Sequence, residues 1–377
     1  MNAADRAAKG EMKQLFFDKE SPTHVRIGRA RLPRARDAVS DLVPSVDAVR
    51  LTCIDQATAE TLEFLAWAVL LGEPALLEGP PATSKLSCVE MLASALGQLM
   101  VRIKLHGLSN PGDLVGRREV ADPEGSCAGR CGWRDGLVVR AMAQGWWVVL
   151  DGLNLAEPHV LERIQPVLDQ HPQLVLVEHD GRTIDGSSVH PGFRVFGTMN
   201  PTEYPGRVSM SPAFVDRWTA FRRVPLPTEE DLVSTMRFWL LGEQPDVTVR
   251  GHRYRGVAVE AVFGDLAQVP GTVDALLQLA RFHAAYARAV STAADAIGLA
   301  SYDDPHAQPS RRLLLRAVQF VQRLQPSTKE EALSAVGEAF ERYYVPRCGS
   351  DARREDVAVL AEALGVRPSA QRKKVRR

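Results

Sequence analysis

The sequence lacks a long apolar run, a signal-peptide pattern and an excess of charge of either sign. No stretch approaches the roughly 18 consecutive apolar residues typical of a membrane-spanning helix, so no membrane role is predicted. The amino-terminal residues contain no apolar segment of the signal-peptide type. The 46 basic and 46 acidic residues give a formal net charge of +0. Overall charge therefore does not favour binding to nucleic acid or to a membrane surface.

Cysteine is also scarce, with five residues in a chain of 377. This number does not form a disulfide framework, which favours a reducing cytoplasmic location. Cys127 and Cys131 have no second Cys or His pair at ligand spacing, so a zinc site is not favoured. The sequence also lacks the His-Glu-x-x-His metal pair and the Gly-x-Ser-x-Gly elbow. These absences argue against the metalloprotease and serine-hydrolase classes.

What the sequence does contain is a region of alternating strand and helix patterns, residues 46–228. Short apolar runs predict buried strands, and segments with apolar residues at helical spacing separate them. Five such strands with intervening helices predict an α/β fold with a parallel sheet covered on both faces. The predicted strands are 74–78, 101–105, 146–150, 193–199 and 221–226, and the first two predicted helices are 55–71 and 84–99.

Helical patterns dominate after Pro227, which predicts a separate helical domain over residues 229–350. Within it, residues 247–256 are predicted to form a small hairpin that turns near Gly251. The last section, residues 351–377, is predicted to hold a C-terminal helix and a basic tail. The predicted helices of the domain are 229–241, 273–290, 311–324 and 329–344.

Residues 1–45 are predicted to form a polar extension that is rich in arginine. The pattern favours a solvated arm, and a contact with an acidic partner or with nucleic acid is the alternative. The arginines that define it are Arg26, Arg29, Arg31, Arg34 and Arg36.

The segment GPPATSKLS, residues 79–87, lies between a predicted strand and a predicted helix. A phosphate-binding P-loop ends in Gly-Lys-Ser/Thr at this place, and its backbone N–H groups and the helix amino terminus hold the phosphates. Here Ser84 replaces the second glycine and Leu86 replaces the Mg²⁺-binding hydroxyl, while Ser87 supplies a hydroxyl about 100° further around the helix. The predicted nucleotide-binding residues are Gly79, Pro80, Pro81, Ala82, Thr83, Ser84, Lys85, Leu86 and Ser87.

The apolar strand that ends at Asp151 predicts the second half of a nucleotide site. In P-loop proteins a carboxylate at this place holds Mg²⁺, so Asp151 is the candidate metal residue. The next residue would be the glutamate that positions the attacking water, but it is Gly152. Glu157 and Glu162 follow too far along the chain to take its place with confidence.

Six segments in the same order along the chain resemble the MoxR and dynein-related AAA+ family. Residues 150–169, LDGLNLAEPHVLERIQPVLD, look like the family's segment in which Asp-Glu precedes Ile-Asn-Leu-Ala and a helix. The others resemble the Asp-Leu-x-Gly loop, the hairpin before sensor 1, the sensor-1 strand end, the arginine-finger segment and the start of the sensor-2 helix. They are residues 110–116, 174–184, 198–201, 211–217 and 310–312.

The resemblance implies a P-loop AAA+ core with a five-stranded parallel sheet, followed by a helical lid. It implies that Asn200 reaches the γ-phosphate or water and that Arg217 acts in a neighbouring subunit's site. Arg312 would reach the phosphates from the lid, with Arg311 as the rival candidate. It also implies assembly with copies of itself or with paralogous AAA+ subunits in a ring, and a protein partner that in relatives is often of the von Willebrand A type.

The residues together predict a ring subunit that binds ATP or ADP, has a weakened Mg²⁺ site and hydrolyses ATP poorly. Leu86 and Gly152 both remove groups that hydrolysis uses, which favours a scaffold or regulator of a partner complex. The alternative is a working ATPase that remodels or activates a partner, with Asp151, Asn200, Arg217 and Arg312 as its catalytic residues. A nucleic-acid-binding module that uses the arginine-rich extension is a third and less favoured hypothesis.

Overall fold

The computed structural model describes residues 17–21, 23–35, 41–120, 131–204, 206–297, 309–347, 357–359, 361–363 and 365–366. Its strands are β1 (Phe17–Ser21), β2 (His24–Ile27), β3 (Ala30–Pro33), β4 (Ala75–Glu78), β5 (Met100–Lys104), β6 (Gly116–Val120), β7 (Cys131–Asp135), β8 (Trp147–Asp151), β9 (Leu174–Leu176), β10 (Arg182–Ile184), β11 (Arg194–Met199), β12 (Ala220–Arg223), β13 (Val247–Val249) and β14 (His252–Tyr254). Its α-helices are α1 (Val46–Val49), α2 (Gln56–Leu71), α3 (Lys85–Leu96), α4 (Pro111–Val115), α5 (Leu137–Gln144), α6 (Pro158–Ile164), α7 (Pro212–Asp216), α8 (Glu229–Leu241), α9 (Gly264–Ala267), α10 (Thr272–Ile297), α11 (Arg311–Leu324) and α12 (Lys329–Tyr343).

The predicted α/β fold with a five-stranded parallel sheet is confirmed. The strands lie in the order β12, β4, β11, β8 and β5, and every neighbouring pair is parallel. Successive side chains of a strand point to opposite faces, and both faces here are buried. Leu77 and Val149 pack in one apolar cluster, whereas Leu76 and Leu150 pack in the cluster on the other face. The carboxyl ends of β4, β8 and β11 therefore meet at one edge, which is where ligands bind in open α/β sheets.

The prediction of a solvated amino-terminal arm is wrong for residues 17–33. Strands β1, β2 and β3 form an antiparallel sheet. Four side chains of this sheet are fully buried in the cluster that also contains α2: Val25, Ile27, Ala30 and Leu32. Arg26 and Arg31 alternate with these apolar residues within β2 and β3, so they lie on the opposite face of the strands. Residues 1–16 and Arg36 lie outside the described part of the chain. The alternative, a contact with an acidic partner or with nucleic acid, stays a prediction.

Two further hairpins flank the sheet. Strands β9 and β10 pair as the predicted hairpin before β11. Strands β6 and β7 form a second antiparallel pair that was not predicted, because their charged residues and glycines do not show a strand alternation. The ring of Trp133 in β7 stacks on His179 with the ring centroids 4.8 Å apart, which joins the two hairpins.

The helical lid forms over α8 to α12 around a separate apolar cluster. The predicted hairpin near Gly251 also forms, as β13 and β14. Its buried side chains Val247, Val249 and Tyr254 pack with α2 and the amino-terminal sheet rather than with the lid helices. The hairpin is therefore an extension of the lid that packs against the core.

The segment immediately before α2 belongs in part to the lid, although the predicted boundary placed it in the core. Cys53 is buried in the lid cluster. Polar contacts also join this segment to the residues after Pro227. Trp239 Nε1 donates to Leu51 O at 2.8 Å, Ile54 N donates to Gln244 Oε1 at 2.9 Å, and Arg311 pairs with Asp55. At the start of α2, Gln56 Nε2 donates to Thr248 O at 2.7 Å.

Only parts of the carboxy-terminal section are described. Val357, Ala361 and Val366 are buried in the lid cluster, so this section packs on the lid. The predicted basic tail, residues 372–377, lies outside the described residues, as do Cys127 and Cys348. Among the helices of the described ranges, none combines the length and the apolar character that a membrane crossing requires.

Candidate functional site

The loop between β4 and α3 has the shape of a phosphate-binding loop. Ser84, which replaces the second glycine, has φ 60° and ψ 16°, and Ala82 also has φ 60°. Both residues therefore adopt the left-handed conformation that glycine adopts most easily. At Gly79 a Cβ atom would lie 2.4 Å from the carbonyl oxygen of Val224, so only glycine fits there. The backbone keeps the form of the motif although its second glycine has been replaced by Ser84.

The left-handed backbone at Ser84 leads to a stability prediction. Ser84→Gly is expected to raise the free energy of unfolding by about 1 kcal/mol, because a non-glycine residue is strained in this conformation. The loss of a 3.2 Å hydrogen bond from Arg311 Nη1 to Ser84 Oγ offsets part of the gain. Ser94→Gly within α3 is the matched control, and it is expected to destabilise the protein by about 0.5 kcal/mol. Urea unfolding checks both, and equal destabilisation by the two variants would contradict the prediction.

Lys85 is buried at the start of α3 and lies over the loop. Its Nζ atom donates hydrogen bonds to the carbonyl oxygens of Gly79 and Pro80, both at 2.6 Å. Burial lowers the pKa of Lys85 to about 8, although the charge of Asp151 opposes this shift. A nearby phosphate would favour the ammonium form and raise this pKa.

Asn200 follows β11 and lies beside Lys85. With its amide nitrogen directed at the loop, Asn200 donates to Gly79 O at 3.1 Å and its amide oxygen accepts from Arg207 Nη2 at 2.9 Å. The amide therefore connects the phosphate loop to a second cation. It is in a position to contact a bound phosphate.

Both carboxylate oxygens of Asp151 are engaged. Thr198 Oγ1 lies 2.5 Å from Oδ1, and Arg102 donates to Oδ2 from Nη2 at 2.5 Å and from Nε at 3.0 Å. Burial acts to raise the pKa of Asp151, but the Thr198 hydroxyl and the Arg102 guanidinium outweigh it and hold that pKa below its usual value. Asp151 is therefore an ionised carboxylate with a bound cationic partner.

Gly152 occupies the place of the predicted water-positioning glutamate and has a left-handed backbone, with φ 81° and ψ 44°. A Cβ atom there would lie 3.1 Å from Leu155 Cδ1. A glutamate at this position would be strained in the backbone as well as crowded.

The predicted phosphate-site residues border one cavity of about 390 Å³. Arg312 of the lid lines this cavity and also the neighbouring one of about 360 Å³, which Tyr204 and Leu226 line as well. Arg311, the rival candidate, instead forms a buried ion pair with Asp55. Apart from Gly79 and Pro80, the whole predicted loop lines the larger of these two cavities: Pro81, Ala82, Thr83, Ser84, Lys85, Leu86 and Ser87.

Arg217 lies apart from this cavity, at the end of α7. Its Nε is 2.9 Å from Asp169 Oδ1, and its Nη1 donates to Ala213 O at 2.8 Å. Arg217 is not among the residues that line its own chain's cavity, and a role in a neighbour's site would require it to leave Asp169.

Sequence reasoning missed three cations that line the cavity, Arg102, Lys104 and Arg207. Arg102 and Lys104 are two residues apart on β5, so they share a face of the strand. That alternation was visible within the predicted strand at 101–105, and it could have indicated that both cations lie on one face of the strand. Arg207 lies in an irregular segment with no pattern that could have indicated its position.

Residues 74–218 match the family described as "AAA domain (dynein-related subfamily)". The chain therefore contains an AAA+ domain of the dynein-related, MoxR-like type. This family accounts for the phosphate loop, the β8 carboxylate and the β11 asparagine in their observed order.

Curated relatives match less than half of the chain. Midasin of Dictyostelium discoideum is 33% identical over 176 residues, which are 46% of this chain and 3% of midasin. The aerobic cobaltochelatase subunit CobS of Sinorhizobium sp is 28% identical over 42% of this chain and 49% of CobS. The denitrification regulatory protein NirQ of Pseudomonas aeruginosa is 27% identical over 44% of this chain and 60% of NirQ. The amino-terminal sheet and the whole of the lid, α8 to α12, lie outside the family match.

Proposed function

We propose that this chain is a nucleotide-binding AAA+ ring subunit that hydrolyses ATP slowly and acts as a scaffold or regulator of a partner complex. The observation that carries the proposal is a cationic cavity at the phosphate loop, combined with a glycine in a left-handed backbone where the water-positioning carboxylate would be. Among the described residues that line the cavity, Asp151 supplies the single carboxylate, and its oxygens are already engaged.

The cavity has the groups that binding needs. The loop backbone and the start of α3 face it, and a helix amino terminus favours a phosphate. Lys85, Asn200 and Arg312 reach it from three different elements. A bound phosphate chain would replace the carbonyl partners of Lys85 with a charged partner, which strengthens that hydrogen bond.

The lowered pKa of Lys85 predicts that nucleotide binding takes up a proton at alkaline pH. Below about pH 7 the free amine is already protonated, so little uptake is expected. As pH rises above about 8 the free protein loses this proton, and binding must restore it. Uptake should approach about one proton per ADP by pH 9, and affinity should fall by up to about tenfold per pH unit above 8.

Calorimetry in two buffers of different ionisation enthalpy measures this uptake. Lys85→Arg keeps a positive charge at pH 9 and is the matched control, in which the uptake should disappear. A wild-type protein that binds ADP at pH 9 without taking up a proton would contradict the prediction, because a Lys85 amine with a lowered pKa must gain a proton to pair with a phosphate.

Assembly is the second part of the proposal. Arg217 is far from its own cavity and would be useful only if another subunit's site lay beside it. Its partner Asp169 is more than a third exposed, so the ion pair is weak enough to exchange. Light scattering with and without nucleotide, and with candidate paralogues and von Willebrand A-type proteins, tests the assembly; a monomer under every condition counts against it.

A single experiment on purified protein separates slow turnover from simple binding. ADP and ATP affinity by calorimetry and phosphate release are measured on the same preparation, with Lys85→Ala as the binding control. The proposal expects clear binding, weakened by Lys85→Ala, together with very slow release. Brisk release that is lost in Asp151→Ala would instead establish the alternative, a working ATPase that remodels or activates a partner. The positions of Asn200 and Arg312 at the cavity are what favour that alternative.

A further inference from the structure

The residues around Asp151 do not fit the Mg²⁺ ion that the family implies. Mg²⁺ requires near-octahedral oxygen ligands at about 2.0–2.1 Å. The loop hydroxyl is replaced by Leu86, whose side chain packs partly against the apolar cluster of α2 and α3. Within the described residues that line the cavity, Asp151 is the one carboxylate, and Mg²⁺ at nucleotide sites depends on one or two carboxylates besides the phosphates.

The guanidinium group of Arg102 binds the Asp151 carboxylate that a metal ion would use as its ligand. Arg102 donates both Nε and Nη2 to Asp151 Oδ2, while Thr198 occupies Oδ1. An ion bound to either oxygen would meet the positive charge of Arg102 at close range, which is unfavourable. Glu90 of α3 does not repair the site, because it is not among the residues that line the cavity.

The cavity carries the positive charge that an unmetallated nucleotide needs. Among the described residues, five cationic side chains line it against one carboxylate: Lys85, Arg102, Lys104, Arg207 and Arg312. The phosphate chain of a free nucleotide is strongly anionic, and the usual function of Mg²⁺ is to neutralise part of that charge. Arginine can do the same with a planar pair of donors that matches phosphate oxygens.

We propose that the site takes nucleoside di- or triphosphate as the metal-free anion, with the Arg102 guanidinium in the place of Mg²⁺. This inference rests on the proposed function that the cavity binds nucleotide. Arg102 would keep its bond to Asp151 through Nε and present its remaining N–H groups to the phosphates. The exposed fraction of its side chain, 44%, leaves part of the group accessible from the cavity.

The test compares ADP affinity in excess Mg²⁺ and in EDTA by calorimetry. Wild-type affinity is expected to agree between the two conditions within about threefold. In Arg102→Ala, affinity in EDTA should fall by about tenfold, and Mg²⁺ should restore much of it, because Asp151 is then free to hold the ion. Lys104→Ala is the matched control; it removes a cation from the same strand, and its weakening should be equal in Mg²⁺ and in EDTA.

The outcomes separate this inference from the proposed function. Wild-type binding that requires Mg²⁺ and is lost in EDTA overturns the inference but leaves nucleotide binding established. No ADP binding in either condition overturns the proposed function itself. The wild-type comparison depends on no substitution, so it decides whether the nucleotide binds without a metal ion even if Arg102→Ala fails to fold.

Discussion

Arg311→Met is expected to lower the free energy of unfolding by about 3 kcal/mol, because it leaves a buried carboxylate without its cation. The side chain of Asp55 is 1% exposed and that of Arg311 is 11% exposed. Burial already raises the pKa of Asp55 despite the opposing charge of Arg311, which shows how little solvent stabilises this carboxylate. The nearby charge of Asp231 adds to the cost of leaving it unpaired.

Two variants control this experiment. Arg312→Met changes the next residue, which lines the open cavity, and it should change stability by no more than about 0.5 kcal/mol. Asp55→Asn combined with Arg311→Met removes both charges and keeps the cap on α2, where Asp55 Oδ1 accepts from Thr58 N at 2.9 Å. The double variant should therefore recover most of the loss. If urea unfolding shows Arg311→Met to be no worse than Arg312→Met, the ion pair contributes little.

Restoring ATP hydrolysis is expected to need three substitutions rather than two. Leu86→Thr returns the hydroxyl after Lys85, and Gly152→Glu returns a carboxylate that typically contributes about 10²–10⁴ in rate. Arg102 would still occupy Asp151 in that double variant. Adding Arg102→Ala frees Asp151, so the triple variant should exceed the product of the separate gains.

The backbone limits the expected repair. Glutamate at position 152 must adopt a φ of 81° or shift the chain, at a cost of about 1–2 kcal/mol. Thermal melts on every variant separate this strain from lost chemistry. Steady-state phosphate release by the wild type and by the single, double and triple variants is the measurement. A double variant as fast as the triple one would show that Arg102 does not obstruct the site.

The order of the motifs was predictable, but the contacts of Asp151 were not. The apolar runs at residues 146–150 and 193–199 and the loop at 79–87 indicated the parallel strands and the phosphate site, because buried strands and P-loops have local patterns. Arg102 became a partner of Asp151 only because β5 lies next to β8 in the sheet, and neighbourhood in a sheet depends on the whole topology. Local sequence does not contain that information.

The amino-terminal sheet was missed for a different reason. Val25, Ile27, Ala30 and Leu32 do alternate with polar residues, which is the pattern of a half-buried strand. The arginines between them dominated the composition and suggested a solvated arm. Arg26 and Arg31 mark the outer face of the sheet, whereas Arg29, in the turn between β2 and β3, pairs through Nε at 3.1 Å with the buried Glu63 of α2.

The contacts of the lid with residues 51–56 have a consequence for motion. Arg311 is fixed to Asp55, and Arg312 is the next residue along the same helix. Because the Arg311–Asp55 pair holds the lid next to Arg312, a rotation of the lid about this pair moves Arg312 only a short distance. Arg312 therefore stays at the cavity in any orientation of the lid that keeps the buried pair intact. A bound phosphate chain would then need little rearrangement of the lid. The free energy of binding would therefore increase affinity and residence time rather than drive a lid movement that displaces a partner.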